Sequence, residues 1–299
     1  MSASIHDILR NDSKQLEKSL SIDAGSARIE VQCLLQYALQ VDRAYLLSHP
    51  EQSLDADQHA RYMAFLERRL GGEPIAYLLG FREFYGLNFK VSPATLIPRH
   101  ETELLVDLAL HRIPSPPSPL PLAGEGGRQA GRGKKFRVLD LGTGSGAIAL
   151  SIAHARPYIE VVALDVSQDA LEIARENLLR LNTNNVRLLR SDWFSALNGE
   201  RFDLIVANPP YIAEADLHLT LGDLRFEPSA ALASGKDGLD DIRRISTQAK
   251  AHLNRGGQLL FEHGYDQAEQ VRMLLKQAGF SGVYSARDLS GVERVSGGI

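Results

Sequence analysis

The stretch RVLDLGTGSGAIALSIAHA, beginning at Arg137, constrains this chain more than any other. A short, largely apolar run meets a loop with glycines at 142, 144 and 146, and an apolar helical segment follows at once. The run is too short for a buried helix and suits a buried strand. The glycines permit tight backbone angles and let a ligand approach closely. The same alternation then repeats. EVVALDV precedes the helical pattern DALEIARENLLRL, and VRLLRSD, FDLIVANPPY and GGQLLFEHG follow as further strands. Strands separated by helices indicate βαβ units and a parallel sheet. The terminal GVYSARDLSGVERVSGG reads as two more strands around a tight turn, expected as an antiparallel hairpin. The fold class expected is therefore α/β, a mostly parallel Rossmann-like sheet with an antiparallel C-terminal hairpin.

The 299 residues leave room for a second, smaller domain. Residues 1–75 read as helices: Leu34, Leu35, Tyr37 and Ala38 recur at helical spacing, as do Tyr62, Phe65, Leu66 and Leu70, until Gly71-Gly72 stops the last one. A small N-terminal helical bundle is expected there. Residues 76–105 read as a hairpin (FREFYGLNFKVSP) and a linker (LIPRHETE), and residues 106–299 as the larger α/β domain. Within that domain, 113–135 carries prolines, then glycines, and no aromatic residue, which marks a flexible linker or insertion. Its Arg128, Arg132, Lys134 and Lys135 are read as solvated rather than RNA-binding.

Charge and composition exclude several classes. The net charge is −4, and residues 1–85 hold 9 Lys/Arg against 12 Asp/Glu, so no basic arm for nucleic acid is present. No apolar stretch approaches the ~18 residues of a membrane span, and MSASIHDILRNDSKQ lacks the apolar core of a signal peptide. The single cysteine, Cys33, sits in the apolar run VQCLLQYAL and is expected to be a buried small hydrophobe. It excludes an intrachain disulfide or a cysteine-based metal site, and a cytoplasmic protein is expected.

The loop Gly142-Thr143-Gly144-Ser145-Gly146 follows the G-x-G-x-G spacing rather than that of dinucleotide sites. About twenty residues on, the next strand ends in Asp165, which either accepts hydrogen bonds from ribose hydroxyls or caps the following helix; Ser167 or Asp169 can serve as the cap instead. After the third strand, Asp192 and Trp193 pair an acceptor for an exocyclic amine with a ring to cover a base; a lone Trp is more often a core residue, but this position favours the cofactor. The fourth strand ends in Asn208-Pro209-Pro210-Tyr211. Asn-Pro and Pro-Pro are turn signals on their own. In this position they suit the methylation of an amide, whose nitrogen is a poor nucleophile with two N–H groups to satisfy. The Asn208 side chain and the Pro209 backbone each offer a carbonyl, and Tyr211 can stack on the planar amide. Acceptance of those hydrogens also favours the positive charge that develops on nitrogen.

With LDLGTGSGAIAL, Asp165, SDWF and NPPY in place, the chain resembles class I amino-methyltransferases. Within them it is similar to the release factor glutamine methyltransferases over nearly its whole length. FREFYG, LIPRHETE, LGDLRFEP and LLFEHG match that family's pattern as well. The resemblance implies S-adenosyl-L-methionine as cofactor and, as substrate, the glutamine of the Gly-Gly-Gln loop of bacterial class 1 peptide chain release factors, which the N-terminal domain helps to recognise. It implies cofactor contacts from Gly142, Thr143, Gly144, Ser145, Gly146, Asp165, Trp193 and Asn208, and substrate contacts from Asn208, Pro209, Pro210 and Tyr211. It further implies catalytic roles for Asn208, Pro209 and Tyr211, no metal, no stable nucleic-acid or membrane partner, and a monomer. Two departures stand out: His100 replaces the family's usual proline, and the insertion at 113–135 is long.

Three other readings share these motifs. An adenine amino-methyltransferase would need a base-recognition region and a basic groove, neither of which is visible. A methylase of a glutamine in a ribosomal protein would keep the chemistry and change the target. A non-catalytic cofactor-binding module would have no use for two converging carbonyls. Arg99, Glu101 and Glu103 are read either as functional or as an interdomain salt bridge, and Phe81 and Tyr85 either as facing substrate or as hairpin packing. Glu262 and His263 end the fifth strand with no metal-ligand spacing and no assigned role.

Overall fold

The computed structural model describes residues 3–116 and 135–299. Of the insertion read at 113–135, residues 117–134 lie outside that range. The chain divides into two units, Met1–Phe81 with Thr220–Phe226, and Arg82–Leu219 with Glu227–Ile299.

The first unit is helical: α1 Ile5–Leu20, α2 Ala24–Leu39, α3 Arg43–Ser48, α4 Ala56–Leu70 and α5 Ile75–Leu79. Ser4, Asp23, Asp42 and Asp55 cap the first four, each accepting from a first-turn amide, and Asp55 and Gln58 form a reciprocal capping box. Leu34, Leu35 and Ala38 of α2 meet Tyr62 and Leu66 of α4 in one core. Tyr37 departs from the expected pattern: it is 40% exposed and sets its ring edge-on against Phe65. Cys33 is half-buried rather than buried. The expected boundary at residue 75 falls on the first residue of α5, and the unit also takes in Thr220–Phe226 from far down the chain. A buried Arg69 accounts for that recruitment. Its guanidinium donates to Glu30 at 2.7 and 3.1 Å and to Asp223 at 3.1 Å, so Asp223 completes the neutralisation of a charge removed from water.

In the second unit, β1 (Phe81–Phe84, which starts on the last residue of the first unit) and β2 (Leu87–Lys90) form a two-stranded sheet. Tyr85 and Gly86 between them both have positive φ, as a two-residue hairpin turn requires. Phe84 and Phe89 are fully buried, and Tyr85 packs on the same core with its hydroxyl on Asp107, so hairpin packing is the role observed for it.

After α6 (Glu103–Arg112) come β3 (Arg137–Leu141), α7 (Ala147–Ala155), β4 (Glu160–Asp165), α8 (Gln168–Arg180), β5 (Val186–Arg190) and β6 (Phe202–Ala207). Then follow α9 (Asp240–Ala249), β7 (Leu253–Glu262), α10 (Ala268–Gln277), β8 (Tyr284–Arg287) and β9 (Glu293–Gly298). The strand order is β5-β4-β3-β6-β7-β9-β8, parallel except that β9 pairs antiparallel with both β7 and β8. This is the sheet and terminal hairpin read from the sequence. Alternate residues serve opposite faces: Val138, Val161 and Leu204 meet α6 and α7, while Leu139, Val162 and Ile205 meet α9 and α10. Strands covered on both sides read as continuous apolar runs for this reason.

The strand order reverses beside β3, which places a ligand crevice at the carboxyl ends of β3, β4 and β6. Asn177 of α8, fully buried, holds that edge together. Its carboxamide accepts from the Lys90 amide at 2.7 Å and donates to the carbonyls of Lys90 and Ser145, both at 2.9 Å. The hairpin and the glycine loop are thereby fastened to one helix. Asn177→Ala should strand these buried backbone groups and lower stability by roughly 2–4 kcal/mol, read as the shift in urea midpoint.

Candidate active site

A cavity of about 370 Å³ opens at the crevice, lined among others by Gly142, Gly144, Asp165, Trp193, Asn208 and Pro210. The glycine loop shapes its floor. Gly144 has φ +56° with open space where a side chain would stand, whereas the φ +85° of Gly146 serves packing, since a Cβ there would meet Leu150 at 2.9 Å. Thr143 and Ser145 are buried beneath the loop rather than facing the cavity. The Thr143 hydroxyl donates to Asp140 at 2.7 Å, and the Ser145 carbonyl is taken by Asn177. Of the five loop residues expected at the cofactor, Gly142 and Gly144 line the cavity, and the other three hold the loop in shape.

Asp165 ends β4 with its carboxylate across the loop. Oδ2 accepts from the Gly144 amide at 2.8 Å and Oδ1 from the Ser167 amide at 2.9 Å. Burial raises its pKa, and the Ser167 and Gly144 amides oppose that rise. Each oxygen keeps a second lone pair, so the group can still accept from two neighbouring hydroxyls. Ser167, not Asp165, caps α8.

Trp193 sits at φ +48°, a strained conformation for a bulky residue and of the kind that gathers at functional sites. Its ring lies beside Gly142, and its Nε1–H donates to Asp241 at 3.1 Å. Ser234 in turn donates to the other Asp241 oxygen at 2.7 Å, which fixes the indole in plane. Asp192 forms a two-point ion pair with Arg244 at 2.7 and 2.8 Å, so its carboxylate is shared with a cation, an arrangement the sequence did not announce.

Asn208 follows β6 directly. Its Nδ2 donates to the Thr102 hydroxyl at 3.3 Å, which turns Oδ1 to the other side of the carboxamide. Pro210 lines the cavity and Pro209 is buried. Tyr211 points elsewhere than expected. Its ring packs on the core, its hydroxyl donates to Glu262 at 3.3 Å and its carbonyl accepts from Gln267 at 2.9 Å, so it braces the loop.

The cavity rim joins two loops through Glu227, whose buried carboxylate accepts from the Ile97 amide at 2.9 Å and pairs with Arg99. Arg99 and Glu227 belong to the same unit, so this pair is not the interdomain bridge considered for Arg99. Glu103 accepts from the Tyr85 amide, and His100 stands at the start of a short turn, where a proline's missing N–H would be tolerated equally well. His263 is buried between the Gly264 carbonyl and the Ser296 hydroxyl, and burial lowers its pKa. Thr102, Glu227, Asp241 and Arg244 were not foreseen. Asp241 and Arg244 share α9, while Thr102 and Glu227 reach the site from elsewhere in the chain, so no single spacing marks the set.

The family model described as Methyltransferase small domain matches residues 129–236, and that described as PrmC N-terminal domain matches residues 7–80. The release factor glutamine methyltransferase of Bordetella pertussis is 47% identical over 284 residues, covering 95% of this chain and 98% of its own length. That of Escherichia coli K12 is 43% identical over 288 residues, covering 96% of each. Among solved structures, a methyltransferase from Pyrococcus furiosus covers 77% of this chain and 94% of its own at 21% identity, with a TM-score of 0.50. The hMettl16 catalytic domain covers 72% and 76% at 15% identity, with a TM-score of 0.51. At those identities the two structures speak to the fold alone.

Glu262 is 2% exposed, and burial pushes its pKa up from the ordinary 4.5 to about 7, against the lowering effect of Thr102, Tyr211 and Arg294. A carboxyl with a raised folded pKa holds its proton more tightly folded than unfolded. Its stabilisation is therefore present below the ordinary value and is lost as pH climbs through the folded one. Glu262→Gln should accordingly match the parent at pH 5 and exceed it at pH 8, by on the order of 2 kcal/mol, in denaturant midpoints taken at both pH values.

Proposed function

The chain belongs to the release factor glutamine methyltransferases, and we propose that it methylates the glutamine of the Gly-Gly-Gln loop in bacterial class 1 peptide chain release factors. The methyl group comes from S-adenosyl-L-methionine and goes to the side-chain amide nitrogen, giving N5-methylglutamine. The place of action is the cytoplasm, where translation terminates. One observation carries this reading: Asn208, with its carboxamide nitrogen already committed to Thr102, borders the same cavity as Gly144, Asp165 and Trp193.

The cavity fits the cofactor on its own terms. Open space above Gly144 admits the ligand's backbone-hugging part, Asp165 has lone pairs left for a ribose diol, and the Trp193 ring offers a flat apolar wall to a base. When bound, S-adenosyl-L-methionine supplies an electrophilic methyl group on a sulfonium. The protein's task is then to hold a weak nucleophile. The Asn208 carbonyl and the Pro209 backbone carbonyl accept the two N–H groups of the substrate amide and fix the nitrogen's orientation. The same acceptors stabilise the positive charge that grows on nitrogen, and the alkylated nitrogen then sheds a proton readily. Tyr211, tied at its hydroxyl and its carbonyl, keeps the loop rigid.

Asn208→Ala should lower turnover by roughly a thousandfold or more, with cofactor affinity by calorimetry changed less than about fivefold. Near-normal turnover would remove the amide grip. Asp165→Ala should weaken cofactor binding by roughly tenfold to a hundredfold, and unchanged affinity would take Asp165 off the ribose. The target is tested by offering purified release factor, ribosomal protein and DNA together with labelled cofactor. Mass spectrometry should place the label on the Gly-Gly-Gln glutamine, and label confined to either other component would overturn the assignment.

A further inference from the structure

Asp192 and Trp193 are neighbours in the chain, and α9 holds each of them by a different side chain. Arg244 takes Asp192 in the two-point ion pair at 2.7 and 2.8 Å, and Asp241 accepts from the Trp193 Nε1–H at 3.1 Å. Residues three apart share a helix face, so one face of α9 grips the turn after β5 twice. All four residues line the cavity.

The indole is held at both ends. Its benzo edge lies against the glycine loop, where Cζ3 and Cη2 stand 3.5 and 3.7 Å from the place a Cβ on Gly142 would take. Its pyrrole nitrogen is fastened to Asp241. The ring thus spans from the glycine loop to α9. Asp241 is itself latched. Its Oδ2 accepts from the Ser234 hydroxyl at 2.7 Å, and its amide donates back to the same Ser234 oxygen at 2.9 Å. Ser234 is buried, and its own amide donates to the Ile212 carbonyl at 2.9 Å, one residue past the Asn208–Tyr211 loop.

Trp193 needs such an anchor. Its φ of +48° is one that a bulky residue keeps only where its surroundings impose it. The ring is half-buried and borders the cavity, so packing covers only part of it. An untethered indole there would turn, and an arriving base would have to order it at a cost in affinity.

We infer that Asp241 is a positioning residue for the cofactor: through the Trp193 Nε1–H it holds the indole as the wall on which the adenine of S-adenosyl-L-methionine lies. This rests on the reading of the cavity as the cofactor's. A direct contact between Asp241 and the cofactor would have no need of the indole nitrogen, which separates the two roles by experiment.

The chain has a single tryptophan, so fluorescence excited where tyrosine is silent reports on this ring alone. In the full chain, Asp241→Ala should weaken cofactor binding by calorimetry about fivefold to thirtyfold, with KM for the release factor within about twofold of the parent. The anisotropy decay of ligand-free Asp241→Ala should gain a fast component from local ring motion, while its slow component, the tumbling of the folded chain, stays as in the parent. Asp241→Asn keeps an acceptor for the indole and a donor for the Ser234 oxygen, and should recover most of the affinity and the parent's decay. Trp193→Phe keeps an aromatic face without the N–H, so Asp241→Ala added to it should cost less than about twofold more. Ser234→Ala unlatches the carboxylate without altering Asp241 and should act in the same direction at about threefold, which keeps the test decisive if Asp241→Ala does not fold. Parent-like affinity or an unchanged decay in Asp241→Ala and Ser234→Ala overturns the inference. So does an Asp241→Ala loss that is undiminished in the Trp193→Phe background, or an Asp241→Asn variant that recovers nothing. If the parent chain takes up no cofactor at all, the reading of the cavity falls first and the positioning role goes with it.

Discussion

The site depends on a single row of the parallel sheet. Leu141, Leu164, Ala207 and Phe261 stand level across β3, β4, β6 and β7, all apolar and all buried. One residue further along each strand come Gly142, Asp165, Asn208 and Glu262. β3 and β6 end at the row before, so the backbone beyond them has no strand to pair with, while Asp165 still pairs with Arg190 and Glu262 with Val295. Those groups are satisfied from the site itself, as when Asp165 accepts from the Gly144 and Ser167 amides.

Burial then gives each polar group its character. Asp140 and Glu262 both have pKa values pushed up to about 7 by desolvation, yet they differ in company. Asp140 lies beneath the glycine loop with the Thr143 hydroxyl on it and acts as part of the loop's foundation. Glu262 accepts from the Tyr211 hydroxyl, which belongs to the Asn208 loop. The reaction proposed for the site needs no separate general base. The site's residues position, accept hydrogens and exclude freedom of rotation.

Much of this was legible beforehand, for reasons specific to each element. The strands of the catalytic domain stood out because a sheet covered on both faces needs continuous apolar runs, as in EVVALDV and FDLIVANPPY. The glycine loop, Asp165 and Asn208 were found because each sits at a strand end, where chain order alone places it at the crevice. Tyr211 was placed correctly in the loop but not in orientation. Whether an aromatic after a strand turns to the ligand or to the core depends on a partner, here Glu262, fifty-one residues away. Cys33 and Tyr37 share that history, since helical periodicity names a face and not the depth to which each residue on it is covered.

The sequence by itself determined the order of strands and helices, the location of the glycine loop and the residues proposed to meet cofactor and substrate, because these follow from local periodicity and from residues adjacent in the chain. Only the tertiary structure decided who holds those groups in place. Thr102, Glu227, Glu262 and the α9 pair Asp241 and Arg244 lie far apart in the chain, and Asp223 joins the N-terminal bundle from beyond the Asn208 loop. The physical reason is that a hydrogen bond or ion pair closes over about 3 Å of space whatever the separation along the chain, so its partners carry no mark in a linear text.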